Sequence, residues 1–243
     1  MPHKRKNVVF EYFQAFVIAL LVALFLRTFV IQAFRIPTGS MKDTLLIGDF
    51  LLVNKFIYGA KTPERIPLTN VKIPSIRLPA LKKPERGEVI VFKYPLEEKL
   101  DYIKRCVGVP GDTIVVRNGQ VFVNGKPEGK ESLVKAGEYD KTEGIYVNYY
   151  RIVLPSGRDY TIRKRNDIRH VNGEYGPAVV PPGHLFMMGD NRDNSQDSRY
   201  WGFLPRENVV GKALMIYWSW DNTVPIWKID SKIRWSRILD VIH

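Results

Sequence analysis

Cysteine occurs once in this chain, at Cys106, and histidine four times, at His3, His170, His184 and His243. One cysteine excludes an intramolecular disulfide, so stability has to come from packing. The shortage of histidine restricts any nucleophile that relies on imidazole as its base. His3 lies in the N-terminal tail, His243 is the last residue and His170 follows the charged run 163–169, which leaves His184 as the one plausible imidazole base. Acidic charge is also short, with 25 Asp and Glu against 37 Lys and Arg and a formal net charge of +12. These basic residues are spread through loops without a recognition helix or nucleic-acid signature, so no nucleic acid is expected and membrane lipid is the better partner. The Pro-rich stretch from Lys61 to Arg86 carries seven basic and two acidic residues and reads either as a solvated loop or as part of that lipid-facing charge. Metal-ligand spacing is missing as well. Asp190, Asp193 and Asp197 do not follow an EF-hand pattern and have arginines between them, so no metal and no cofactor is expected.

Long apolar runs are scarce except near the N-terminus, where residues 8–34 are largely apolar around a centre from Ala15 to Leu26. Glu11, Gln14 and Arg27 interrupt it, but Arg27 can snorkel and Phe29-Val30-Ile31 extend the segment, which predicts one transmembrane helix over residues 8–30. A cleaved signal peptide is the competing reading, because Lys4-Arg5-Lys6 resembles a basic n-region. No small-x-small site follows cleanly. The basic residues before the helix predict a single-pass protein of the cell membrane, with a cytoplasmic N-terminus and the rest of the chain extracytoplasmic.

Just beyond this segment the chain reads Ile36-Pro37-Thr38-Gly39-Ser40-Met41, and later Tyr102-Ile103-Lys104-Arg105. The pair suggests a serine nucleophile with a lysine base. A lysine can take a serine proton only while neutral. At an unperturbed pKa of ~10.4 roughly one lysine in 2,500 is neutral at pH 7, and lowering it by ~3 units costs about 4 kcal/mol. The amine therefore needs a dry site, which burial in an apolar strand would supply. Two-residue alternation places Tyr102, Lys104 and Cys106 on one strand face. An edge-strand lysine facing water and an ordinary Thr-Gly-Ser turn are the plainer alternatives. At ~3.3 Å per extended residue, the ten residues from Val30 keep Ser40 within about 35 Å of the helix end.

The remainder reads as mainly β. Residues 88–92 form a buried strand, while 113–117 and 120–123 join through Asn118-Gly119, a type I′ hairpin signal repeated at Asn124-Gly125. Residues 126–169 are charged and aromatic and predict an exposed ribbon between two halves of a core. Residues 185–188 form a strand leading into the polar loop 189–199. Trp218, Trp220, Trp227 and Trp235, with nearby basic residues, suit either an interfacial surface or a β core.

Four ordered segments, 36–45, 48–55, 86–112 and 189–205, together resemble the bacterial type I signal peptidases, membrane-bound Ser/Lys endopeptidases that remove signal peptides from exported preproteins. The resemblance implies an antiparallel β catalytic core with an inserted β-ribbon, preceded by one transmembrane helix. It implies a cytoplasmic tail at 1–7, the helix at 8–30, core segments at 31–112 and 182–220, an inserted ribbon domain at 113–181 and a membrane-proximal segment at 221–243. By the same likeness Ser40 would attack, Lys104 would act as base, Thr38 would aid the oxyanion hole and Ser195 would orient the lysine. Asp197 and Arg199, with Arg105, would support the loop by ion pairing. Pockets for the small residues of Ala-x-Ala ends would map to Phe34, Ile36, Met41, Leu45, Leu51, Val91, Tyr102 and Ile103. The chain departs from the family in having Asp43 where proline is common and no cysteine pair in the ribbon.

Two rivals stand beside this. Ser132-Leu133-Val134-Lys135 satisfies the Ser-x-x-Lys of penicillin-binding enzymes, but no Ser-Asp-Asn or Lys-Thr-Gly follows. A membrane-anchored β-rich scaffold, in which Ser40 and Lys104 merely face solvent, is the non-enzymatic alternative.

Overall fold

The structure is a computed structural model and describes residues 8–62, 71, 73–166 and 174–243. The basic run Lys4-Arg5-Lys6, His3, His170 and part of the Pro-rich stretch lie outside the described residues.

The apolar N-terminal run lacks glycine and proline and forms the helix α1, Val8–Phe25, which continues into a wider π-type turn at Leu26–Val30. Together they span 23 residues, and an 18-residue stretch of them has a mean hydropathy of 2.3 with no residue buried by the rest of the protein. At 1.5 Å per residue that length is about 34 Å, enough to cross a bilayer.

Strand β1, Ile31–Arg35, follows without a linker and pairs with β2, Asp49–Asn54. The strands that follow are β3, Val89–Tyr94, β4, Glu97–Gly108, β5, Thr113–Arg117, and β6, Gln120–Val123. Next come β7, Lys126–Pro127, β8, Lys130–Asp140, β9, Ile145–Val153, and β10, Asp159–Arg165. The chain closes with β11, Tyr175–Val179, β12, His184–Met188, β13, Leu204–Pro205, and β14, Val209–Ser219. The largest sheet has seven strands in the order β1-β2-β14-β3-β4-β12-β13. All its pairings are antiparallel.

Strand β3 lies at the centre of this sheet, and its unbroken apolar run is explained by two covered faces. Val89 and Val91 pack with Leu51, Ile103 and Ile216 on one side, while Ile90 and Phe92 pack with Cys106 and Met187 on the other. Alternation along β4 then gives Lys104, paired with Ile90, the face of Tyr102 and Cys106, as the sequence predicts.

The described residues of the expected ribbon domain, 113–166 and 174–181, form two sheets rather than one ribbon. Strands β5, β6, β7 and β11 make a four-stranded sheet in the order β11-β5-β6-β7. Its turns at Asn118-Gly119 and Asn124-Gly125 have positive φ at both residues, the type I′ signature. This sheet shares an apolar cluster with Val107, Phe186 and Met188 of the main sheet, so it belongs to the core. Strands β8, β9 and β10 form the separate three-stranded ribbon, with its own cluster of Ile152, Leu154, Tyr160 and Ile162. At the C-terminal end Trp227 and Trp235 are 78% and 60% exposed. Trp220 packs edge-on against Phe50.

Candidate active site

Ser40 sits in the segment between β1 and β2. Hydrogen bonds from Ile36 N to Asp49 O and from Gly48 N to Ile36 O close its base. Met41 and Leu45 are one helical turn apart, joined by Leu45 N donating to Met41 O, and both are plugged into the core with no exposed surface. Asp43 has a φ of 79°, a value that proline, held near −65°, cannot adopt. Proline could not take this position without a change in the local backbone.

Lys104 is 3% exposed on the interior strand β4. Its Nζ donates to Ser40 Oγ at 2.6 Å and to Ile103 O at 3.2 Å. Tyr102 lies beside the amine, with its ring centroid 5.3 Å from Nζ and its ring stacked on Tyr94 at 4.4 Å. Burial pushes the amine down to about 8, against Asp197 and Asp190, which act to raise it. Roughly one lysine in ten is then neutral at pH 7. No other charged side chain approaches within hydrogen-bonding distance of Nζ among the described residues.

The loop after β12 holds this pair in place. Asn191 donates through its backbone N to Ser40 O at 3.1 Å and through Nδ2 to Gly39 O at 3.1 Å. Arg105, with no exposed side-chain surface, donates to both oxygens of buried Asp190 at 2.8 and 2.6 Å. Thr44 Oγ1, on the serine turn, donates to the same carboxylate at 2.6 Å. Arg199 grips Asp197 through Nε and Nη2, and Asp197 also accepts from Gly189 N at 3.1 Å. The expected ion-pair support is thus divided. Asp197 pairs with Arg199, while Arg105 pairs with Asp190, a residue the sequence offered only as one of three loop aspartates. Ser195 is buried beside Gly189, and among the described residues its Oγ has no hydrogen-bond partner, so no hydrogen bond joins it to Lys104.

Gly189 has no room for a side chain, because an added Cβ would overlap Ser195 Oγ and the carbonyl oxygen of Ser40. The Ser40 oxygen is backbone and cannot swing aside. Gly189→Ala is expected to shift the serine turn and to lower kcat on a cleavable preprotein by about 10²-fold, the scale of a 1 Å misplacement. The melting temperature should fall as well, by roughly 2–12 °C, the scale of an overpacking cost of about 1–3 kcal/mol. Unchanged kcat would mean that the loop yields without moving Ser40.

The three-stranded ribbon also reaches the serine turn. Lys42 points away from Ser40 and donates to Asp140, Thr142 and Glu143 at the β8–β9 tip. Arg163 of β10, also buried, donates to Asp140 and Glu143 at 2.7 Å each. Burial pushes the Asp140 carboxyl up, and hydrogen bonds from Lys42, Thr142 and Arg163 overcome this and hold it below the usual carboxylate range. The backbone of Arg163 exchanges hydrogen bonds with the loop after β12, donating to Asp190 O and accepting from Arg192 N. These residues had no signal in the sequence beyond the charge of their segment.

A cleft of about 470 Å³ opens at Ser40 and Lys104, with Thr38, Tyr102, Ile103 and Gln196 among its walls. Thr38 is exposed at its rim. Of the residues expected to form the pocket, Tyr102 and Ile103 line this cleft. The others are placed differently. Ile36, Met41, Leu45, Leu51 and Val91 form a closed apolar cluster with Ile103, against which half-buried Phe34 packs. They are core residues because adjacent strands bring their faces together, and pattern alone does not separate a pocket floor from a core. His184 lines a different cleft, and its Nδ1 lies 3.0 Å from Pro182 O. Ser132 and Lys135 are exposed on β8.

The chain belongs to the peptidases. A family model described as signal peptidase, peptidase S26, matches residues 9–218. A protein called signal peptidase I from Pseudomonas aeruginosa is 40% identical over 98% of this chain and 81% of its own. Another from Pseudomonas fluorescens is 39% identical over 89% of this chain and 75% of its own. A third, from Aquifex aeolicus, is 37% identical over 82% and 80%. The chain belongs to the signal peptidase I family.

Proposed function

We propose that this chain is a membrane-anchored serine endopeptidase that removes N-terminal signal peptides from exported preproteins after small-x-small sites, with Ser40 as nucleophile and Lys104 as base. The observation that carries the reading is the 2.6 Å contact between Lys104 Nζ and Ser40 Oγ in a site where the amine is buried. Ser40 Oγ attacks the scissile carbonyl as its proton passes to neutral Lys104. The tetrahedral intermediate collapses, the C–N bond breaks, and the lysine returns the proton to the departing amine. Lys104 then deprotonates a water that releases the acyl group from Ser40. Thr38 and the backbone NH of Ser40 stabilise the oxyanion. Tyr102 and Ile103 shape the pocket for a small side chain, with the Ile36, Met41, Leu45, Leu51 and Val91 cluster beneath them and Phe34 beside it.

In this reading α1 anchors the protein with the N-terminus cytoplasmic and the catalytic sheet outside, as the basic residues ahead of the helix favour. A division into a core that includes β5, β6, β7 and β11, an inserted ribbon of β8–β10 and a membrane-proximal C-terminal stretch goes with it. Neither a cofactor nor a metal takes part.

The neutral amine is the active form, so kcat/KM should rise about tenfold per pH unit below pH 8 and level off above it. A pH–rate profile from 6 to 10 on a preprotein in detergent or lipid checks this, and a flat profile from 6 to 8 contradicts a titrating lysine. His184→Ala should leave cleavage largely intact. Covalent labelling of Ser132 by penicillin would favour the acyl-enzyme rival instead.

A further inference from the structure

A second cleft, of about 490 Å³, lies at the foot of the N-terminal helix, with Arg27, Lys55, Lys61 and Lys93 among its walls. Two carboxylates share it, Asp101 and Glu207, and Asp101 is engaged by Lys93 at 2.8 Å.

Among the described residues, neither Arg27 nor Lys55 has a side-chain hydrogen bond or a carboxylate partner. Burial lowers the Lys55 ammonium, and Lys93 and Arg27 lower it further as like charges. Like-charge crowding of this kind is relieved by an anion seated between the cations.

The position of the cleft selects the anion. Lys55 N donates to Val30 O at 3.0 Å, which ties Lys55 to the last residue of the helical segment. Arg27 lies three residues before that end, about 4.5 Å inward along the axis. Both basic groups therefore stand where the apolar span stops, the depth at which phospholipid phosphates lie.

We propose that this cleft binds the phosphodiester headgroup of an anionic phospholipid, gripped by Arg27 and Lys55, and so sets the height of the β domain over the membrane. The inference rests on the anchoring role proposed for the helix but not on catalysis by Ser40, so a binding measurement separates the two.

The test is retention of fluorescent phosphatidylglycerol by the full chain in phosphatidylcholine nanodiscs, for the wild type, the Arg27→Gln/Lys55→Gln double variant and a Lys126→Gln/Lys135→Gln control. The control removes the same charge from exposed positions on β7 and β8. Each basic group at an anionic surface is worth roughly fivefold in affinity, so the first double variant should lose about 25-fold in preference for phosphatidylglycerol over phosphatidylcholine. The control should keep the wild-type preference. Equal losses in both doubles would reduce the effect to net charge and overturn the site. Equal wild-type retention of phosphatidylcholine would overturn the requirement for an anionic headgroup, and displacement by 10 mM inorganic phosphate would identify a site for free phosphate rather than lipid.

Discussion

Replacing Lys104 by methionine should lower kcat/KM for preprotein cleavage by about 10³–10⁴-fold, near the upper range for loss of a general base, while the protein melts at the same temperature or higher. The two readouts move apart for one reason. The amine is nearly devoid of solvent, so folding has to desolvate it, and a methionine of similar length fills the space without that cost. Ser40→Ala should give a comparable loss of cleavage with an intact fold, because Ser40 Oγ contributes one hydrogen bond to the site and no packing of the core. The pair should not be additive, since either change alone removes the proton-transfer couple. Retained cleavage by the lysine variant would overturn the proposed dyad.

Arg105→Met is expected to be among the most destabilising single changes in the domain. It leaves Asp190 buried without its guanidinium partner, with Thr44 as its remaining side-chain donor. Breaking a buried ion pair on one side costs about 3–5 kcal/mol, which corresponds to a fall in melting temperature of roughly 6–20 °C for a domain of this size. Arg105 also donates to Gly87 O and packs over Tyr160 at 4.0 Å from the ring centroid, so its loss is felt in β3 and in the ribbon. The double variant Arg105→Met/Asp190→Leu should recover most of the stability, because replacing both partners by apolar groups leaves no orphaned charge. If the single variant melts like the wild type, the pair does not hold the loop. Recovery of the fold without recovery of cleavage would assign Asp190 a second task, fixing the serine turn through Thr44.

Both predictions concern neighbouring residues on β4, and the sequence treats them unequally. Lys104 inside an apolar strand is conspicuous, and two-residue alternation already assigns it the face of Tyr102 and Cys106. Arg105 needs a buried carboxylate, yet the loop offers Asp190, Asp193 and Asp197 at similar distances along the chain. Only the docking of β12 against β4, with Met188 opposite Arg105, decides that Asp190 is delivered and that Asp197 turns to Arg199. The ribbon was legible as an insertion but not as a partner of the active site. The contacts of Lys42 and Arg163 with Asp140 and Glu143 join charges 20 to 101 residues apart, and no local pattern encodes them.

What the sequence determined by itself was local and periodic: the membrane-length helix, the type I′ turns at Asn118-Gly119 and Asn124-Gly125, the central strand β3 and the orientation of Lys104. Backbone sterics and apolar periodicity set these within a few residues, so they survive without knowledge of the rest. The tertiary structure alone decided which carboxylate meets Arg105, that the ribbon tip braces the serine turn, and that Ile36, Met41, Leu45, Leu51 and Val91 close into a core beneath the cleft. Those outcomes depend on which strand faces meet and how tightly they shut out water, and such distances are properties of the packed molecule.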